Sequence, residues 1–192
     1  MTDPTQRFSS RVENYIKYRP DYPNAIIATL QEECQLSSTS LVADIGSGTG
    51  LLTELFLQNG NTVFAVEPNR EMRDAGKRIL QNYDGLHNVP GKAEDTTLAD
   101  HSIDLIAAGQ AFHWFDVEKT RAEFLRILKP GGYAMLIWND RDTKATPFLI
   151  AYEQLLQQYA TNYAEVNHKQ FDDAALGHFF RPLGLKLLIF EN

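Results

Sequence analysis

Between Leu41 and Gln58 the chain reads LVADIGSGTGLLTELFLQ, a short apolar run, three glycines at alternate positions, and then an apolar-patterned helical stretch. Few folds accommodate that order. A short apolar run bounded by turn residues reads as a strand buried on both faces. Glycines at 46, 48 and 50 suit neither helix nor strand, but they let the backbone turn tightly and approach a ligand with no Cβ in the way. A strand is therefore predicted over Leu41–Ile45 and a helix over Leu51–Gln58, stopped by Asn59-Gly60. The glycine loop between them lies at the carboxyl end of the strand, where open α/β sheets bind their ligands.

The remainder of the chain alternates in the same way, which predicts an α/β, doubly wound and mostly parallel sheet flanked by helices. Strands are expected at Thr62–Val66, Leu86–Pro90, Ile103–Ala108, Tyr133–Trp138 and Leu185–Phe190. Helices are expected at Arg70–Asn82, at Val117–Leu128 before the stop Lys129-Pro130-Gly131-Gly132, and at Pro147–Tyr159. The last of these carries Leu149, Tyr152, Leu155, Leu156 and Tyr159 on one face. Residues 1–36 stand apart as an N-terminal segment, with residues 37–192 as the main domain. In that segment a helix over Arg11–Lys17 is broken by Tyr18-Arg19-Pro20-Asp21-Tyr22-Pro23, and a second helix, Ala25–Cys34, has Asn24 as its expected N-cap. The last strand ends two residues before Asn192 with nothing after it to pair with, so the chain is expected to be shorter than a complete domain, its final strand or strands missing.

Composition narrows the class. The 192 residues suffice for one domain with a real core, and a net charge of −7 disfavours a nucleic-acid partner, whose phosphates need a basic surface. The basic set Arg70, Arg73, Lys77 and Arg78 reads as a solvated helix face. The single cysteine, Cys34, excludes an internal disulfide. No apolar run reaches membrane-span length and the N-terminus lacks a signal-peptide core, so a cytoplasmic protein without membrane attachment is expected. No metal site is expected.

Three ligand chemistries compete for the glycine loop. The dinucleotide fingerprint G-x-G-x-x-G fails, because the third glycine comes one residue early, and no Gly-Lys-Ser/Thr follows to make a phosphate loop. The pattern Asp-x-Gly-x-Gly-x-Gly, satisfied by Asp44, Gly46, Gly48 and Gly50, instead resembles the first motif of the class I, Rossmann-like methyltransferases that use S-adenosylmethionine. The stretch Gln110-Ala111-Phe112-His113-Trp114 and the N-terminal Tyr15, Tyr18-Arg19-Pro20 and Tyr22-Pro23 are similar to the small-molecule subgroup that includes trans-aconitate methyltransferase. The resemblance runs from about Arg7 to Trp138.

That resemblance implies a site. Asp44 lies by the amino-acid part of S-adenosylmethionine, with Gly46, Ser47, Gly48 and Gly50 forming the turn around it. Glu67, 23 positions after Asp44 at the end of the second strand, accepts the ribose hydroxyls. Pro68 and Met72 follow, Met72 against the adenine. Ala93, through its backbone amide, and Glu94, through its carboxylate, hold the adenine edge, and Gln110 contacts the cofactor. Residues 1–36 fold over the site as a helical lid, in which Tyr15 and Tyr18 close the top and Arg19 pairs with an acidic acceptor or with the cofactor carboxylate, while Phe112, Trp114 and Phe115 wall the methyl and acceptor region. His113 is the candidate general base, since a neutral imidazole titrates in the useful range. The implied activity is methyl transfer to a small-molecule acceptor by in-line displacement, where positioning does most of the work. Two other readings compete: a non-catalytic module that retains the S-adenosylmethionine site, and an NAD-dependent oxidoreductase, which would use Glu67 equally well but lacks the fingerprint.

Overall fold

A computed structural model describes residues 19–140, 142–160, 173–181 and 184–190. The expected helix Arg11–Lys17 and the side chains of Tyr15 and Tyr18 lie outside the described residues.

Five strands form one sheet in the order β3-β2-β1-β4-β5: β1 Leu41–Ile45, β2 Thr62–Val66, β3 Leu86–Val89, β4 Ile103–Gly109 and β5 Leu128–Ile137. Every pairing is parallel. β1 is central in the sheet, and its Val42, Ala43 and Ile45 are fully buried, as expected of a strand covered on both faces. Alternate residues point to opposite faces, and two cores result. Val42 packs with Ile26 and Leu30 of α1 (Ala25–Cys34) and with Leu52, Leu55 and Phe56 of α2 (Leu51–Gln58). Ala43 and Ile45 pack on the other face with Phe112, with Phe124 and Ile127 of α4 (Val117–Ile127), and with Phe179 of α6 (Asp173–Phe180). Helix α3 (Arg70–Ile79) connects β2 to β3, and α5 (Pro147–Tyr159) follows β5. No described helix is long and apolar enough to cross a membrane.

Because β2 follows β1 on one side and β4 lies on the other, the chain reverses direction across the sheet at β1. The carboxyl end of β1 is thus the topological switch point, the crevice where such sheets hold ligands.

Several expectations need correction. The predicted stop Lys129-Pro130-Gly131-Gly132 lies inside β5, which begins directly after α4. β5 is an edge strand in this sheet, where a proline without an N–H is tolerated. A register shift between Ile103 and Leu105, with Gly131 at φ 81°, absorbs the irregularity. Helix α3 ends at Ile79 instead of Asn82, because Leu80 turns into the core at 1% exposure. Asn24 has a helical backbone and no side-chain capping bond. The expected strand Leu185–Phe190 forms no ladder; Phe190 packs on the first core while Leu187 and Ile189 stay exposed. Its apolar run reported a tendency to be covered and said nothing of where a strand edge would be found. Helix α5 has the predicted span but no buried residue.

Candidate functional site

The glycine loop is built by its own hydrogen bonds and by the helix beneath it. Gly46 and Ser47 both donate their amides to Val66 O, at 2.9 and 3.1 Å, tying the loop to the end of β2. Gly46, Gly48 and Gly50 all have positive φ, a conformation in which a Cβ is strained. Space forbids a side chain as well: a Cβ at Gly46 would lie 2.7 Å from Ala111 Cβ, and one at Gly50 would lie 2.5 Å from Leu80 Cδ1. From below, Gly76 of α3 packs so closely that a Cβ there would meet Thr49 O at 3.3 Å.

Two acidic side chains anchor the loop. Asp44, 1% exposed, accepts a 2.6 Å hydrogen bond from the Thr53 hydroxyl at Oδ2, while Oδ1 is buried with no partner among the described residues. Burial, aided by nearby Glu67 and opposed by the Thr53 bond, pushes the Asp44 carboxyl up to about 7. Glu67 spans the crevice: Oε2 accepts from Gly48 N at 2.9 Å and Oε1 from Asn69 N at 2.8 Å. Burial raises its pKa, against the lowering effect of those two amides. A carboxylate has about four lone-pair positions, so two amide bonds leave acceptor capacity for further donors. Asn69 then caps α3, its Oδ1 accepting from Met72 N at 2.9 Å.

Two cavities open at this crevice and share Arg19, Gly46, Gly109 and Gln110. The first is lined by Asp44, Ser47, Thr49, Leu51, Leu52, Arg19, Pro20, Tyr22 and Asn139. The second, larger and more apolar, is lined by Gly48, Glu67, Pro68, Asn69, Met72, Lys92, Ala93, Glu94, Ala111, Trp114 and Phe115. Met72 is 4% exposed, with its Cε 3.4 Å from where a Gly48 Cβ would stand. One oxygen of Glu94 is committed to the start of α4, accepting from Asp116 N at 2.8 Å.

Of the residues singled out in the sequence, Asp44, Gly46, Ser47, Gly48, Glu67, Pro68, Met72, Ala93, Glu94, Gln110, Arg19, Trp114 and Phe115 all come to these two cavities. Gly50 caps α2 behind them. Phe112 does not line them; it is 1% exposed and packs edge-on against Phe115, Trp138 and Phe179. His113 sits on the same short helical turn, its ring 4.8 Å from that of Trp114, and is not part of either lining. Sequence reasoning missed Thr53, Asn69 and Asn139. Asn69 stands three residues before Met72 at the start of a helical pattern, which is a readable capping signal. Asn139 gave none.

A family profile described as Methyltransferase domain matches residues 43–136. An uncharacterized methyltransferase-like protein of Schizosaccharomyces pombe is 30% identical over 177 residues, covering 92% of this chain and 68% of its own length. The chain belongs to the class I S-adenosylmethionine-dependent methyltransferases. A second protein of the same yeast, an uncharacterized methyltransferase, is 37% identical over 152 residues, covering 79% of this chain and 59% of its own length. The chain thus spans about three-fifths to two-thirds of these relatives. The fold matches a solved candidate S-adenosyl-L-methionine-dependent methyltransferase from Methanococcus maripaludis at a TM-score of 0.63 and 20% identity, over 91% of this chain and 77% of that one. The cofactor of this methyltransferase family is S-adenosylmethionine. The polar groups of the crevice fit such a group: a buried carboxylate oxygen with no donor among the described residues suits an ammonium, and a second carboxylate with spare lone pairs suits a diol.

Proposed function

We propose that this methyltransferase moves a methyl group from S-adenosylmethionine to a small-molecule acceptor by in-line displacement. The observation that carries the reading is the pairing of Asp44 in one cavity with Glu67 in the adjoining one, each acidic and buried, on either side of the glycine loop. When bound, S-adenosylmethionine supplies a methyl group activated on a sulfonium. Asp44 takes the ammonium of its amino-acid tail, for which Oδ1, with no partner among the described residues, is suited. Arg19, the cationic side chain on the first lining, faces that tail's carboxylate or an acidic acceptor. Glu67 accepts the ribose hydroxyls, and Met72, Ala93 and Glu94 hold the adenine. Trp114 and Phe115 close the apolar side of the second cavity and keep water from the reacting centre. Acceptor and methyl need only be held in line and in contact, a positioning effect that itself accounts for many orders of magnitude in rate. His113 lines neither cavity, so it could serve as base only for an acceptor that reaches beyond these linings to it.

Melting curves of the purified chain with S-adenosylmethionine, S-adenosylhomocysteine and NAD test the assignment. A ligand at a hundred times its dissociation constant adds about 2.7 kcal/mol, or roughly 5–10 °C for a domain of this size. Stabilisation by both sulfur ligands and not by NAD is the expected result. Stabilisation by NAD alone would sink the assignment.

A further inference from the structure

Three distant segments meet beside the first cavity. Gln110 follows the last residue of β4 in a left-handed conformation, φ 55°, and its amide donates to Ile137 O at 2.9 Å, adding a rung to the β4–β5 ladder. A non-glycine residue in that region is strained, and such strain persists only where surrounding contacts hold it. Here the Gln110 side chain donates from Nε2 to Asn139 O at 3.1 Å. Asn139, two residues beyond β5, in turn donates from Nδ2 to Pro20 O at 3.3 Å, with Asp21 O at 3.5 Å. The segment so held, residues 19–22, contributes Arg19, Pro20 and Tyr22 to the cavity that contains Asp44. Tyr22 is seated tightly: its hydroxyl is 2.5 Å from where a Cβ on Gly109 would stand.

We infer that Asn139 is a positioning residue for cofactor binding. It clasps residues 19–22 to the sheet so that Arg19 and Tyr22 close the cavity for the cofactor's amino-acid tail. The inference rests on the proposed placement of that tail by Asp44. A clasp acting there sorts ligands by whether they carry a tail. S-adenosylhomocysteine has one, and 5′-methylthioadenosine has the same adenosine and thioether without it. A merely structural asparagine would weaken both alike.

The test compares the affinities of the two ligands, by calorimetry, for the wild-type chain and for Asn139→Ala and Asn139→Asp. Aspartate keeps the shape but removes the donor, so it serves if the alanine variant folds poorly. Losing one hydrogen bond of ordinary worth corresponds to about a three- to tenfold change in affinity. Both variants are expected to bind S-adenosylhomocysteine about three- to tenfold more weakly, mainly through faster dissociation, and 5′-methylthioadenosine within about twofold of wild type. Equal losses on the two ligands, or no loss on either, would overturn the positioning role while leaving the cofactor assignment intact. A wild-type chain that bound neither ligand would overturn both, before any variant is compared.

Discussion

Thr53 donates its hydroxyl to Oδ2 of Asp44 at 2.6 Å, and Oδ1 of the same carboxylate is buried with no donor among the described residues. The half-satisfied group holds its proton up to about pH 7, chiefly because burial penalises the charged form. A cationic ligand group resting on it would favour the ionised form. Affinity for S-adenosylhomocysteine should therefore fall as pH drops below about 7, by up to about tenfold per unit. Glu67, whose pKa is also raised, affects any adenosyl ligand, so the ratio of affinities for S-adenosylhomocysteine and 5′-methylthioadenosine isolates Asp44. Asp44→Asn should flatten that ratio. A ratio already constant from about pH 5.5 to 8.5 in the wild type would show that Asp44 does not hold the ammonium.

The same pair sets a pH dependence of folding. The folded Asp44 carboxyl titrates near 7, above the ordinary carboxylate value it would have when unfolded. Its contribution to stability is thus fully present below about pH 4 and is lost as pH rises through about 7. Thr53→Val removes the donor to the charged form, so its cost should be largest where Asp44 is ionised. Urea titrations should give about 1.5–3 kcal/mol at pH 8.5 and less at pH 5.5. An equal penalty at both values would mean that the hydroxyl matters for packing alone.

The sequence announced the central strand, the glycine loop and the second acidic position, because each depends on local pattern: an apolar run, a backbone that needs positive φ, and a carboxylate at a strand end. What it concealed depends on distance. The bond from Asn139 to Pro20 joins residues 119 positions apart, and no periodicity encodes it. Nor does any local pattern show that Gly76, inside α3, is the place where that helix rests on the backbone of Thr49. The Lys129-Pro130-Gly131-Gly132 run has the chemistry of a stop, but its position at a sheet edge let the strand absorb it. The aromatic stretch predicts Phe112 as a wall of the acceptor region beside His113 as its base; a single short helical turn instead sends Phe112 into the core, where it meets Phe179 from the far end of the chain.

Gly109 and Tyr22 form a coupled pair in the lining of the first cavity. A Cβ at position 109 would stand 2.5 Å from the Tyr22 hydroxyl and 3.1 Å from Leu52 Cδ2. Gly109→Ala must displace the tyrosine, and overpacking of this kind costs about 1–3 kcal/mol. S-adenosylhomocysteine binding should weaken with it. Tyr22→Phe removes the clashing oxygen, so the double variant should bind better than the two single effects added together. Strict additivity in that cycle would show that the two positions do not communicate.

Among the described residues of helix α6, Phe179 is the buried ring that meets α4, Leu176 and Phe180 pack beside it on the same core, and the polar contacts are at the surface. Phe179, 5% exposed, lies edge-on to Phe112 at 4.8 Å and to Phe124 at 5.7 Å, while Arg121 Nε donates to its carbonyl at 3.1 Å. His178 approaches Glu118 at 3.0 Å, but both side chains are more than half exposed. Phe179→Ala should lower stability by about 3–5 kcal/mol, the transfer of a large ring plus the cavity it leaves. His178→Ala should change it by less than about 1 kcal/mol, because exposed ion pairs contribute little. Chemical denaturation of both variants separates the contributions. The reverse ranking would mean that α6 is docked by its charges and not by packing through Phe179.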